Sequence, residues 1–319
     1  MVSNRSLVAS ILIIAAVSAV FGISLYKLQV QPTAHQPDDE NQNQVTVFKA
    51  VLEVDGYLAS GHWARNPTTD LPQYTGIVEY SIANIGNAGA SSVRVTVRVD
   101  GATSVKSIPI LEPQSTYRNS SSISVTYDSS EVFIVEATCS GSSDSDSVLV
   151  DANLPRSPEW TSSSSITELF ITPSENNVAS TEDNVIENKF ILLPNWVALR
   201  DWVGNNIDYK YDSETYGQSD YWQLPKETLQ RGTGDCEDFS ILLCSLLRAN
   251  GWSANDVYVV IGEKGESCHA WVKINLGILG WYNIEPQADG WNTLVGDFLS
   301  LSGYDAICHF NDSQFHWTG

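Results

Sequence analysis

Residues 232–251 read GTGDCEDFSILLCSLLRANG, and this stretch constrains the chain more than any other. Phe239, Leu242, Leu243, Leu246 and Leu247 recur at i, i+3, i+4, i+7 and i+8, the period of an amphipathic helix. Gly251 suits the left-handed residue that closes such a helix. Glycines and an aspartate open it and place Cys236 in the first turn, where backbone N–H groups lack helical partners and the dipole is positive. That position favours thiolate over thiol. A cysteine used for packing belongs further along, on the apolar stripe. Asp235, Glu237 and Asp238 flank the thiol. Acids in a first helical turn cap it, and they also oppose ionisation of the thiol, which then depends on an ion pair with a nearby base.

Two further segments supply the partners of a cysteine nucleophile, which needs a base and a group that orients the base. In Cys268-His-Ala-Trp-Val-Lys-Ile-Asn275, His269, Trp271 and Lys273 alternate with Ala270, Val272 and Ile274, the pattern of a strand. In Gly280-Trp-Tyr-Asn-Ile-Glu-Pro-Gln287, Trp281, Asn283 and Glu285 share a face. Gly277 and Gly280 suit a hairpin between the two, so adjacent antiparallel strands can bring His269 and Glu285 side by side. Asn283 is a second candidate orienter on the same face. Cys139, Cys244 and Cys268 read as small buried hydrophobes.

These residues resemble the transglutaminase-like superfamily of papain-type cysteine enzymes. The likeness rests on Leu224-Pro-Lys-Glu-Thr-Leu-Gln-Arg-Gly-Thr-Gly-Asp-Cys-Glu-Asp-Phe-Ser240, then His269-Ala-Trp-Val272, then Trp281-Tyr-Asn-Ile-Glu-Pro286, with Trp196–Asp212 resembling the segment that enters the core. The resemblance implies an α+β domain over 184–319 with Cys236 as nucleophile and His269 as general base. The family's third member is an aspartate before proline. Glu285 stands there in this chain, and its extra methylene must be absorbed by a backbone shift.

Upstream the pattern changes. Over 45–153, Ile77–Asn84, Val93–Val99, Val105–Leu111, Ile123–Tyr127, Val132–Thr138 and Val148–Val150 are short strand candidates separated by Asn84–Gly89, Asp100-Gly101 and Glu112-Pro113 turns. Val93, Val95, Val97 and Val99 are expected to face inward and Arg94, Thr96 and Arg98 to face water. Regular strands without helices imply a β-sandwich, and the turn chemistry resembles CARDB-like, immunoglobulin-type modules. It reads either as a spacer or as a binding module. Ser140–Ser147 reads as a turn; it lacks the spacing and closing glutamate of a calcium loop. Pro155–Trp160 and the serines at 162–165 mark 154–183 as a linker.

Leu7–Tyr26 runs for about 20 residues without a charge, enough to cross a bilayer as a helix. Residues 1–27 are therefore expected to be a single-pass anchor, with the bulk of the chain outside and the N-terminus inside. A cleaved signal peptide is the competing reading, since Ala16-Val-Ser-Ala19 resembles a cleavage site. Residues 28–44, with Pro32–Gln44 polar and aperiodic, read as a flexible tether.

The acidic balance, 38 Asp and Glu against 17 Lys and Arg for a net charge of −21, excludes the basic face that nucleic acid requires. The 5 cysteines form no C-x-x-C pair, so neither a structural zinc site nor a full disulfide framework is expected. His309 and His316 near Cys308 do not follow a metal-ligand spacing. No cofactor and no metal is expected. The reading that follows is a membrane-anchored cysteine hydrolase or acyltransferase that acts on peptide or glutamine amide bonds of a substrate near the membrane through a thioester at Cys236. Peptidase is favoured over cross-linking, and a catalytically inactive binding or scaffold module is the alternative.

Overall fold

The computed structural model describes residues 47–157, 164–190, 192–287 and 301–318. The expected anchor over 1–27 and tether over 28–44 lie outside the described residues. Among the described residues no helix is long and apolar enough to cross a membrane.

Two antiparallel sheets make up the β-rich region. Strands β1 (Leu52–Arg65), β2 (Pro72–Asn84) and β5 (Thr116–Thr126) pair in the order β1-β2-β5. Strands β3 (Ala90–Val99), β4 (Ala102–Leu111), β6 (Ser129–Cys139) and β7 (Ser142–Ala152) pair in the order β4-β3-β6-β7. Alternate residues of β2, β3, β5 and β6 point inward, so Val78, Ile82, Ile123 and Val125 of one sheet share a core with Val93, Val95, Phe133 and Val135 of the other. Thr96 keeps the expected outward face, yet it is buried because its cross-strand neighbours Val105 and Glu136 flank it in the middle of the sheet.

Strand β1 carries little apolar alternation and was not expected from the sequence. Its free edge is closed by side chains of β7: the N–H groups of Leu52, Val54 and Gly56 donate to Ser142 Oγ (3.0 Å), Asp144 Oδ2 (2.7 Å) and Asp146 Oδ2 (2.8 Å). Ser140–Ser147, expected as a turn, is thus mostly strand, and its alternating polar residues serve an otherwise open sheet edge.

The second half stacks helices on one sheet, with one helix sandwiched in the middle. Helices α1 (Asn176–Asn188), α2 (Asn195–Asn206), α3 (Pro225–Arg231) and α4 (Cys236–Ala249) precede a five-stranded antiparallel sheet. Its strands are β8 (Val257–Lys264), β9 (Ser267–Asn275), β10 (Trp281–Ile284), β11 (Asp305–Phe310) and β12 (Phe315–Trp317), in the order β10-β9-β8-β11-β12. Helix α4 lies between this sheet and helices α1–α3. Leu242, Leu243, Leu246 and Leu247 are fully buried. Each such leucine contributes on the order of 2 kcal/mol of hydrophobic stabilisation.

The described residues of the expected linker, 154–157 and 164–183, are part of the folded core. Leu154, Phe170, Ile171 and Val178 belong to the same core as α4. Helix α1 begins inside the segment, where the Glu175 carboxylate accepts the N–H groups of Asn177 (2.9 Å) and Val178 (3.3 Å). The serine-rich composition concealed the short apolar run Leu169-Phe170-Ile171, which supplies the burial.

Candidate functional site

Three devices place Cys236 at the head of α4. The backbone pairs Asp208 N–H with Gly232 C=O and Lys210 N–H with Gly234 C=O, each at 2.8 Å, which ties the glycine-rich turn to the chain leaving α2. Gly234 is required by proximity: a Cβ there would lie 2.6 Å from the Cβ of Asp238. The Asp238 carboxylate in turn accepts the N–H of Asp235 (3.3 Å) and of Gln223 (2.7 Å), which locks the turn against the preceding segment. Of the three acids read as capping residues, Asp238 makes these bonds.

His269 and Glu285 come from neighbouring strands, as expected. In β9, Ala270, Val272 and Ile274 face α4, while Trp271 packs on the opposite side with Val260 and Leu301. Gly262 of β8 leaves the room that the Trp271 ring occupies. His269 Nε2 lies 2.7 Å from Glu285 Oε2, with both side chains largely buried. Glu285 follows the last residue of β10. Its carbonyl accepts from Nε of the buried Arg200 (3.1 Å), and its Oε1 accepts from the Gln287 N–H (3.2 Å). The glutamate thus reaches His269 despite the extra methylene. Asn283 does not orient His269, because its Oδ1 accepts from Trp271 Nε1 at 3.1 Å.

The thiol and the imidazole open into one cavity of about 70 Å³, lined by Cys236, Glu237, His269, Ala270, Cys268, Ile261, Asp220 and Trp222. The cavity is of side-chain dimensions. Cys236 is half-buried and the Ala270 N–H points to its sulfur. Cys268 is exposed rather than buried, at the open end of β9, while Cys244 and Cys308 are buried and Cys139 is intermediate.

Electrostatics runs against the expectation for a helix N-terminus. Burial pushes the Cys236 thiol well above its ordinary range, and the charges of Glu237 and Asp235 push it further. Glu237 Oε2 lies 3.3 Å from the sulfur. The Ala270 N–H opposes these effects without cancelling them. The acids are perturbed too. Burial, then the adjacent Asp235 carboxyl, raises Glu237 well above the usual carboxylate range. Burial also raises Asp238 and Asp235. Asp212 is pushed up to about 6 by burial and by Asp235.

Asp212 and Asp220, in the aromatic-rich stretch before α3, were not singled out from the sequence. Their only signal there is an acid placed among Tyr209, Tyr211, Tyr216, Tyr221 and Trp222. Oxygens of Asp212, Asp220 and Glu237 lie within 4.8 Å of one another, as do those of Asp212, Asp235 and Asp238. Asp235 Oδ1 and Glu237 Oε1 are buried without a hydrogen-bond partner. Buried acceptors without donors, in a set made only of hard oxygens, fit a divalent cation such as calcium. His309 and His316 stack with ring centroids 4.8 Å apart. Burial, Lys273 and His316 lower His309 to about 4, and the Lys273 ammonium makes that corner unfavourable for a cation.

Residues 185–286 match the family model described as the transglutaminase-like superfamily, so the chain carries a transglutaminase-like domain of the kind its motifs resemble. No curated protein matches the chain significantly. Among solved structures, LapG of Legionella pneumophila is 18% identical over 44% of this chain and 75% of its own, with a TM-score of 0.33. The calcium-bound form of LapG gives the same identity, coverage and TM-score. A proposed cysteine protease from Cytophaga hutchinsonii is 13% identical over 83% of this chain and 90% of its own, with a TM-score of 0.30.

Proposed function

We propose that the chain is a cysteine hydrolase or acyltransferase that cleaves peptide or glutamine amide bonds through a thioester at Cys236, with hydrolysis favoured over cross-linking. The observation that carries this reading is the 2.7 Å His269–Glu285 contact beside a cavity shared with a half-buried thiol at a helix head. The transglutaminase-like family match over 185–286 supports it.

The chemistry follows from the order of groups. Glu285 holds His269 through Nε2, which leaves Nδ1 to exchange a proton with the thiol. The thiolate attacks the amide carbonyl, and N–H groups of the first turn of α4 stabilise the oxyanion that forms. His269 then protonates the departing amine as the C–N bond breaks. The acyl group remains on sulfur. Water, deprotonated by His269, attacks the thioester, the carboxylic acid leaves, and the thiol is restored. If an amine replaces water the outcome is transamidation. Hydrolysis is favoured because water needs no second substrate site.

Calcium is the cation we assign to Asp212, Asp220 and Glu237, whose oxygens lie within 4.8 Å of one another, and it would neutralise their charge. The β-rich region is read as an immunoglobulin-like, CARDB-like module. Residues 1–27 are read as an anchor that holds the site on the outer side of a membrane, within reach of substrates there. The second reading, a binding module without turnover, draws on the thiol being raised rather than lowered.

Turnover decides between the two readings. The full chain incubated with a dansylated peptide library, with and without calcium, is expected to release new N-termini detectable by mass spectrometry. Cys236→Ala and His269→Ala are expected to release none. Cleavage that persists in Cys236→Ala, or its absence from the wild-type protein under both conditions, removes the enzyme reading.

A further inference from the structure

The wall of the cavity opposite the helix head is not held by the transglutaminase-like domain alone. Residues 154–157, which leave β7, run against residues 220–223. Trp222 is clasped from both sides: its N–H donates to the Arg156 carbonyl (2.6 Å) and its carbonyl accepts from Arg156 Nη1 (3.3 Å). The Arg156 guanidinium then grips Glu227, at the start of α3, with two bonds of 2.7 and 2.9 Å. It also bonds Asp128, in the turn between β5 and β6 of the β-rich region. Its side chain is 8% exposed. The rings of Tyr127 and Tyr221 lie 5.8 and 5.2 Å from it. Asp128 is itself fixed, since its N–H donates to Ala152 C=O (2.6 Å) and its Oδ1 accepts from Leu154 N–H (3.3 Å).

The next residue continues the clasp. Ser157 Oγ donates to Asp220 Oδ2, and Asp220 Oδ1 accepts from Trp222 Nε1 at 3.2 Å. Asp220 and Trp222 both line the cavity that holds Cys236 and His269. On the far side, the Gln223 N–H donates to Asp238 Oδ1 of α4. Residues 220–223 are therefore suspended between a turn of the β-rich region and the head of the nucleophile helix.

We infer that Arg156 is a positioning residue that makes the β-rich region a fixed part of the candidate active site, setting the Asp220–Trp222 wall against which a substrate acyl group would rest. Only a planar fork holds Glu227 bidentately while reaching Asp128 and the Trp222 carbonyl; a lysine ammonium cannot span the three acceptors. The thiol–imidazole pair has its own supports in α4, β9 and Arg200, so loosening the clasp moves the substrate side of the cavity and leaves the reacting pair in place. The catalytic part of this inference rests on the proposed cysteine chemistry; the structural part does not.

The test uses the full chain and two variants remote from the thiol, Asp128→Asn and Arg156→Lys. Amide hydrogen exchange is the first readout. Exchange at 220–223 is expected to quicken by about tenfold or more in both variants, with α4 and β9 unchanged. The second readout is hydrolysis of a peptide found to be cleaved by the wild type. KM is expected to rise about tenfold with kcat within about twofold, the mark of lost substrate positioning. Unchanged exchange at 220–223, or equal acceleration there and in α4, overturns the inference whatever the activity. Local acceleration in a wild type that shows no turnover upholds the clasp while rejecting the catalytic reading. Local acceleration with a fall in kcat alone contradicts the assignment of the wall to substrate positioning.

Discussion

Glu285 Oε2 stands 2.7 Å from His269 Nε2, at the end of a glutamate whose backbone carbonyl is itself held by the buried Arg200. A carboxylate on one ring nitrogen fixes the imidazole's tautomer and steadies the imidazolium once the other takes a proton. Glu285→Gln keeps the hydrogen-bonding reach and removes the charge. It is expected to lower turnover by about 10²-fold or more with little change in folding stability. Steady-state rates on a cleaved peptide, beside a urea titration, check both halves of the statement.

Arg200 links the backbone of Glu285 to α2. It is fully buried, and its Nη1 pairs with Asp201 at 2.8 Å. Arg200→Ala opens a cavity and leaves the Glu285 carbonyl without this donor, so unfolding in urea is expected to show a loss of about 3 kcal/mol. The variant that does fold is expected to lose turnover as Glu285→Gln does.

Reactivity of the Cys236 thiol follows from its neighbours. Burial and the charges of Glu237 and Asp235 raise it, so its alkylation by iodoacetamide at neutral pH is slow and keeps accelerating into the alkaline range. Glu237→Gln removes the nearest negative charge, and the rate profile is expected to move to lower pH. A profile that moves to higher pH, or stays, contradicts the electrostatic account. The exposed Cys268 serves as the internal comparison.

The carboxylates around the thiol couple stability to pH. Asp212 is raised to about 6 in the folded protein from the 3.8 of an unperturbed carboxyl. A group raised on folding stabilises most below its unfolded value, and that contribution is lost as pH rises through its folded value. The thermal midpoint is therefore expected to fall by a few degrees between about pH 4.5 and 7.5 in chelator. Asp212→Asn is expected to flatten that change.

Calcium should restore what the proton supplies at low pH. At pH 7.5 it is expected to raise the midpoint of the wild type and not that of Asp212→Asn. Terbium luminescence sensitised by the nearby Trp222, displaced by calcium, measures binding without recourse to activity. Absence of a saturable signal removes the cation from the site.

The order Cys236, His269, Glu285 was legible because each residue sits where a short-range pattern is strong. A 3.6-residue period marks α4, and strict alternation marks β9. Strand β1 was not legible, because its Gly56, Gly61 and polar residues leave one face without an apolar signature, and its edge is satisfied by side chains some 90 residues away. Helix α1 escaped because its burial depends on packing against α4, not on its own composition. Asp212 and Asp220 are joined to the thiol only by the fold. The opposition of the flanking acids to the thiolate was legible, but burial, the largest cause of the raised thiol, was not, and together they outweigh the weak, local dipole. The reading of 154–157 as linker missed the Arg156 clasp, since its acceptors lie 28, 66 and 71 residues away.

The most direct test of the account is the labelling of the full chain with a peptidyl acyloxymethyl ketone, followed by mass spectrometry of all 5 cysteines. Such a reagent needs a thiolate assisted by an imidazole, not merely an exposed sulfur. The account predicts labelling at Cys236 and not at the exposed Cys268, with loss of labelling in His269→Ala. Preferential labelling of Cys268, or labelling of Cys236 that is unchanged in His269→Ala, contradicts it.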